Sequence, residues 1–575
     1  MYMKKIIIFL LSVAVIGFSC NRDKFLTEEP LDFYTADNAF KNAAGFQSSI
    51  NYLHNQMRSI LFGGYNLESY FPLRYATDFA VNATDYTPPA KLNDYKNTMV
   101  PTYVVPEAIW RGLYLVVSNA NVVITRSTTS TVIPEADRIK FKAQALFFRA
   151  WAYNFLANLY GGVPLVLEET IAPRRDYTRA TRDEVYAQCK ADLTEAIQTL
   201  GNVDAVVDGA VNKQAAQHLL TEVLISLKDF EGAVAAASAV ISYPGLGLMK
   251  TRFGRHATRE GDVYKDLFEL NNQNRSSGNK EGIFIIQADY QNAATATRDV
   301  IQWAIMPFLS NLRVSASVGG AAPVSQPAIK GFNDKIAGRG VGWMRPSNYF
   351  LYEVWDDPDD MRNSKYNIVR DIRLDGPPAN SDAFGKYYVA DGYKAKAGSF
   401  ADTTRNWFPI LKKATLSEGD FPEEVWQKNA AGNPVLAPFG GVLLLNSSGD
   451  VYQKDMYLMR LAETYLLRAE AYLKNNEPAK AAADINVIRE RANAHPVEAA
   501  QVTIDFLLDE RLRELYVEEL RMVTLCRMGM LYDRTKRYNE KSGLTIESYH
   551  NLWPIPYSEI ERNTGAVIEQ NPGYK

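Results

Sequence analysis

The feature that most limits how this chain can fold is an echo of itself. Leu227-Lys-Asp-Phe-Glu-Gly-Ala-Val-Ala-Ala-Ala237 aligns without gaps with Leu473-Lys-Asn-Asn-Glu-Pro-Ala-Lys-Ala-Ala-Ala483, and seven of the eleven positions are identical. Each copy lies between two amphipathic stretches, a short polar turn followed by an Ala-rich helix start. Alanine at such positions lets two helices approach closely, as in the hairpins of tetratricopeptide arrays. The copies stand 246 residues apart, so the array is not tandem. Paired helices must be split by a long insertion.

The flanking patterns agree with a helical frame. Ile109, Trp110, Leu113, Val116 and Val117 make one stripe over 106–126. Ala143, Leu146, Phe147, Ala150, Phe155 and Leu159 make another over 135–160, stopped by Gly161-Gly162-Val163-Pro164. Thr181 with Glu184 forms a capping box for a helix over 181–200. Helices at 212–227 and 230–242 follow, and a second helical block is expected from Tyr457 to Met530. Between the blocks, 245–450 is rich in Gly, Asn, Ser and Pro, with strand-like runs at Ile283–Gln287 and Val442–Leu445. The fold class is therefore mostly α, a tetratricopeptide-like scaffold with an irregular, loop-rich insert carrying short strands. The expected divisions are a leader at 1–19, then 20–244, the insert 245–450 and a closing helical part at 451–575.

Composition removes several functions. With 63 basic and 66 acidic residues the net charge is −3, so the chain lacks the cationic surplus that nucleic-acid binding needs. Three cysteines and five histidines leave no disulfide scaffold and no His-rich metal centre. Cys189 and Cys526 fall in helical patterns and are expected to be buried and free. No HExxH, GxSxG or GxxxxGK[ST] pattern is present, and Gly338-Arg-Gly-Val-Gly342 has the make-up of a plain turn. Asp356-Asp357-Pro358-Asp359-Asp360 clusters four carboxylates. They suit a capped turn, with a calcium site or the general acid/base pair of a surface glycan-degrading enzyme as the alternatives, and no cofactor is expected. Lys4 and Lys5, the apolar run Ile6–Phe18 and Ser19-Cys20 match a signal peptide ending at a lipidated Cys20.

Several further motifs follow one another in chain order. Trp110-Arg-Gly-Leu-Tyr114 leads to Asn119-Ala-Asn121. Ala145-Leu-Phe-Phe-Arg-Ala-Trp-Ala-Tyr153 runs to Tyr160-Gly-Gly-Val-Pro-Leu165. Arg460-Leu-Ala-Glu463, Leu467-Arg-Ala-Glu470 and Asp509-Glu-Arg-Leu-Arg-Glu-Leu515 precede Trp553-Pro-Ile-Pro556 and Gln570-Asn-Pro-Gly-Tyr574. In this order these motifs resemble the SusD/RagB family of Bacteroidetes outer-membrane lipoproteins, although Val523-Thr-Leu-Cys526-Arg527 departs from that family's usual Asp-Leu-Arg pattern. The resemblance implies a surface lipoprotein that captures glycans, or in some members peptides. It also implies a SusC-like TonB-dependent transporter as partner, on which the lipoprotein sits as a lid. Arg149, Glu463, Glu470, Glu510, Arg513 and Arg521 lie on otherwise apolar helices and should pair in buried ion networks.

Glycan sites stack aromatic rings on sugar faces and read hydroxyls with planar polar groups. Two regions have that make-up. The first is 65–95, with Tyr65, Tyr70, Arg74, Tyr75, Asp78, Asn82, Tyr86 and Tyr95. The second is 290–355, with Tyr290, Trp303, Trp343, Arg345, Asn348, Tyr349 and Tyr352. The expected anchors are Arg74, Asp78, Tyr95 and Trp343, with Tyr70 and Tyr349 beside them. The acidic balance disfavours a polyanionic ligand.

Overall fold

A computed structural model describes residues 39–62, 73–83, 92–288, 300–336, 338–396, 404–439, 441–446 and 454–575. Cys20, Tyr65, Tyr70, Tyr86 and Tyr290 lie outside the described residues. The frame consists of α1 (Ala43–Phe62), α2 (Val104–Thr129), α3 (Glu135–Tyr160), α4 (Arg182–Ile197), α5 (Lys213–Ser226) and α6 (Phe230–Ile241). After the insert come α7 (Leu461–Lys474), α8 (Pro478–Arg491), α9 (Ile504–Leu515), α10 (Arg521–Met528) and α11 (Leu531–Tyr538). Local chemistry sets the ends. Gly161 terminates α3 at φ +76°, a conformation that costs a residue with a Cβ. Thr181 and Glu184 close both halves of the capping box on α4. Asn212, Asp229 and Thr503 cap α5, α6 and α9 through their side-chain oxygens, and Pro478 opens α8.

The two echoed turns join α5 to α6 and α7 to α8. Leu224 and Ile225 of α5, Ala233 of α6 and Leu467 and Ala471 of α7 share one buried cluster, so the two hairpins are neighbours in space. A larger core runs from Phe46 in α1 through Leu113, Trp151, Leu193 and Leu219 to Leu508, Leu525 and Trp553. Trp553 is fully buried, and its amide donates to the Leu159 carbonyl at 2.7 Å, so the Trp-Pro-Ile-Pro segment clamps the tail onto α3.

Among the described residues the strands form four two-stranded antiparallel sheets. These pair β1 (Ala80–Asn82) with β5 (Met344–Pro346), and β2 (Gly282–Ile286) with β8 (Met456–Arg460). The others pair β3 (Arg313–Ala316) with β4 (Val324–Pro327), and β6 (Ile368–Val369) with β7 (Ile410–Leu411). Tyr457 was expected to open a helix but lies in β8 opposite Ile285, and the helix begins at Leu461. Pairing with a distant strand overrides the local pattern there. The Val442–Leu445 run makes isolated bridges rather than a strand. A separate core holds part of the insert together, with Met306, Leu374, Tyr388 and Trp407 at its centre.

The buried charges pair as expected. Arg149 grips Asp192 at 2.7 Å, Glu463 meets Arg511 at 2.8 Å, and Glu470 holds Arg527 at 2.5 Å. Glu510 takes Arg362, Arg489 and Arg513 at 2.8–3.0 Å. Glu514 accepts from Arg362, Arg460 and Arg491, and Glu281 accepts from Arg460 and Arg491. All of these ionic heads are enclosed apart from that of Glu463, which is partly so. Burial alone would raise the carboxyls, but Arg362 and its companions outweigh it and hold Glu510 at about 2. Cys189 and Cys526 are free and buried.

Candidate ligand-binding cleft

Three expected anchors serve the frame instead. Asp78 is fully buried, with Arg521 at 2.6 Å and Arg534 at 2.8 Å. Burial pushes its carboxyl up, but these two guanidinium groups more than offset that and hold it at about 2. Arg74 is buried and donates to the Val517 and Leu61 carbonyls at 3.0 and 3.2 Å. Tyr95 is buried, its hydroxyl on the Ala76 carbonyl at 2.6 Å and its ring edge-on to His550. Together they rivet segment 73–83 onto the C-terminal helices. All three are buried, Asp78 against α10 and α11, Arg74 between the end of α1 and the α9–α10 turn, and Tyr95 under segment 73–83.

Two expected residues lie at half-buried positions. Trp343 packs against Trp303 with ring centroids 5.4 Å apart, and Arg339 lies 5.4 Å from the Trp303 ring. Tyr349 stacks on Tyr538 at 3.8 Å and donates to Asp509 at 2.8 Å. Arg345 is buried and pairs with Glu540 at 2.8 Å. Asp357 accepts from the Asp359 amide, from His495 and from Arg489, and Asp360 is gripped by Arg362 at 2.7 Å. The acidic run is thus a turn stapled by the chain's own donors. His256, Glu269 and Asp420 form a second cluster whose ligand-type atoms all lie within 4.8 Å of one another. Arg255 sits 2.8 Å from Asp420 and Lys265 pairs with Glu269, so cations already balance it.

The insert carries a cleft of about 580 Å³ that sequence reasoning did not single out. The β6–β7 ladder lays its floor, with Val369 and Ile372 on one side and Lys412 directly after β7. Asp371 accepts the amides of Ile372, Val389 and Ala390 at 2.8–2.9 Å, which pins the wall that carries Tyr387. Asp375 accepts the Lys330 amide at 2.8 Å. Arg373 lies 3.8 Å from the centre of the Phe439 ring, and Phe439 in turn meets Phe384 at 4.9 Å. Tyr387 is 49% exposed, and Tyr366 is half-buried beside Lys365. Lys412 is only partly exposed and donates to the Leu416 carbonyl at 3.4 Å; burial pulls its ammonium down to about 8.

Two further recesses flank α2 around Trp110 and Tyr114. Their polar tips are committed to packing. Trp110 is buried, and the Tyr114 hydroxyl donates to the Pro164 carbonyl at 2.7 Å. The insert cleft differs in presenting open ring edges and uncommitted charged heads together. Such a cleft can stack a ring-shaped ligand and hydrogen-bond its rim.

These features define a helical-hairpin scaffold bearing a loop-built cleft. The chain belongs to the SusD family. The family model described as SusD family matches residues 444–574, and the one described as "Starch-binding associating with outer membrane" matches 31–225. SusD-like protein P25 of Formosa agariphila is 24% identical across 97% of each chain. The starch-binding protein SusD of Bacteroides thetaiotaomicron is 40% identical over 125 residues, 21% of this chain and 22% of that one. A laminarin binding SusD-like protein superposes with TM-score 0.64 at 21% identity, covering 93% of this chain and all of that one. The surface glycan-binding protein A of Bacteroides thetaiotaomicron in complex with laminarihexaose gives 0.63 at 19% identity, covering 92% and 99%. These two likenesses establish a shared fold. Among the described residues, no helix is long and apolar enough to cross a membrane.

Proposed function

We propose that this protein is a surface-anchored, non-enzymatic glycan-binding lipoprotein that captures oligosaccharides and passes them to a SusC-like TonB-dependent transporter. The insert cleft carries the reading, because it combines open aromatic rings with polar heads on a rigid helical frame. Family membership supports it, as do the names of relatives that bind starch and laminarin. The Trp303–Trp343 pair is a second stacking surface on the same insert. Anchorage is assigned to a lipidated Cys20.

The deciding measurement is the affinity of residues 21–575 for a panel of polysaccharides and mixed peptides, read by tryptophan fluorescence and calorimetry. Retention of at least one polysaccharide is expected, with no release of reducing sugar. Trp343→Ala should weaken that binding about tenfold while the protein still melts cooperatively. Binding confined to peptides would replace the glycan reading. Cys20→Ala should release the protein from the membrane fraction.

A further inference from the structure

The charge that lines the insert cleft is opposite in sign to that of the chain as a whole. Net charge over 575 residues is −3, yet Arg259, Lys265, Lys335, Lys365, Arg373 and Lys412 face Glu260, Asp371, Asp375 and Glu418 here. The acids are the more heavily committed set. Asp371 and Asp375 are taken up by backbone amides, as described above. Of the cations, among the described residues, only Lys265 is neutralised at close range, by Glu269. Lys365 meets Glu260 at 4.0 Å, both heads more than three-quarters exposed, a pairing that solvent screens heavily. Arg259 uses one nitrogen on the Glu418 carbonyl oxygen rather than on a carboxylate. Arg373 spends its Nε on the Gly385 carbonyl and its face on Phe439, which leaves its two terminal nitrogens without a hydrogen bond among the described residues. Lys335 is exposed.

Lys412 is the most telling of them. It sits in the cleft with one long hydrogen bond to a carbonyl, and Glu269, Asp334 and Glu418 act on it only from beyond ion-pair contact among the described residues. A partly desolvated ammonium is unfavourable unless an anion completes its shell. A neutral sugar offers hydroxyl groups, which are served equally well by acids and amides, and gives no reason for this excess of cations.

We infer that the insert cleft selects saccharides bearing an anionic substituent, a uronate carboxylate or a sulfate ester, which Lys412 and Arg373 hold beside the rings of Tyr387 and Tyr366. Both substituents present coplanar or clustered oxygens that suit a guanidinium fork and an adjacent ammonium. This inference rests on the glycan-binding reading and narrows its ligand class.

The test uses residues 21–575 and three probes: laminarin as the neutral arm, polygalacturonate as the carboxylate arm and λ-carrageenan as the sulfate arm. Affinity is measured by calorimetry at low and moderate salt. One anionic arm should bind at least tenfold more tightly than laminarin and weaken as salt rises. The double variant Arg373→Gln, Lys412→Gln should lose at least tenfold on that arm while still unfolding cooperatively. The arm that binds tells carboxylate from sulfate. If laminarin binds as well as either polyanion, the inference falls and the glycan reading stands. Anionic binding that the double variant leaves intact also overturns it, because the charge is then read elsewhere. If the double variant unfolds, the single variants Arg373→Gln and Tyr387→Ala serve instead, with the same tenfold criterion. Retention of none of the three probes, with peptides retained, overturns both readings.

Discussion

Glu514 in α9 and Lys412 beside β7 are both withdrawn from water, yet among the described residues only Glu514 is in ion-pair contact with counter-charge. Glu514 sits among Arg362, Arg460 and Arg491, and each of those reaches a second carboxylate. Lys412 has a carbonyl at 3.4 Å. The frame and the cleft thus use the same residue types for different ends. In the frame, ionic groups close on one another and lock α7, α8 and α9 to the start of the insert. At the cleft, cations are left over. A charge satisfied within the chain holds structure, and one left short of a partner marks a place for something from outside.

The largest expected effect comes from breaking the frame. Glu514→Gln leaves three buried guanidinium groups facing a neutral amide, and should lower unfolding free energy by ~3–5 kcal/mol in urea titration. A loss below about 1 kcal/mol would mean that the network is not what ties these helices together.

Acid should take the frame apart before it affects the cleft. Asp78, Glu463 and Glu510 are each held at about 2, below their ordinary values of 3.8, 4.5 and 4.5. A depressed carboxylate contributes stability that is fully present above its unfolded-state pKa and is lost as pH falls through the folded value. Burial also holds His54 and His550 at about 4, below the ordinary 6.5, so stability should begin to fall as pH drops below about 6.5, and the three carboxylates should add a steeper loss, on the order of 2 kcal/mol per group, below about pH 5. Circular dichroism during urea unfolding at a series of pH values checks this. A curve that stays flat down to pH 5 would mean that His54 and His550 are not held neutral in the folded protein.

How much of this was legible beforehand depended on the range over which each decision is made. The Thr181–Glu184 box and the Gly161 stop are settled within a few residues, and the sequence announced both. Charges on apolar helix faces announced that they would be paired, though not with whom. Arg74, Asp78 and Tyr95 misled because their partners lie far along the chain. Asp78 meets Arg521 across 443 positions, and Arg74 reaches Val517 across the same span. A Tyr/Arg/Asp-rich segment reads as a recognition loop until the helix that buries it is known. The cleft was hidden for a related reason. Arg373, Tyr387, Lys412 and Phe439 share no periodicity, and they converge only because the β6–β7 ladder and the Asp371 staple bring separate loops together.

The smallest expected effect is also the one with a sign that separates the two regions. Replacing a frame charge with a neutral residue must destabilise, because its partners remain buried. Lys412→Met keeps the length and packing of the side chain and removes an ammonium that Glu269, Asp334 and Glu418 favour and Lys265 opposes; Asp334 keeps the Gly419 and Leu443 amides. Those acids are not orphaned by the change: Glu269 keeps Lys265 and the Ser417 hydroxyl, and Glu418 is exposed. Met fills the same volume without a desolvated charge. The variant should therefore gain about 0.5–1 kcal/mol in urea unfolding, the increment typical of relieving a functional site's strain, while losing affinity for an anionic saccharide. A stability loss of comparable size would place Lys412 with the frame, as one more internally satisfied charge. A gain without loss of binding would leave the cleft's selectivity to Arg373 and its neighbours. Only stability up and affinity down together fit a cation held ready for a ligand.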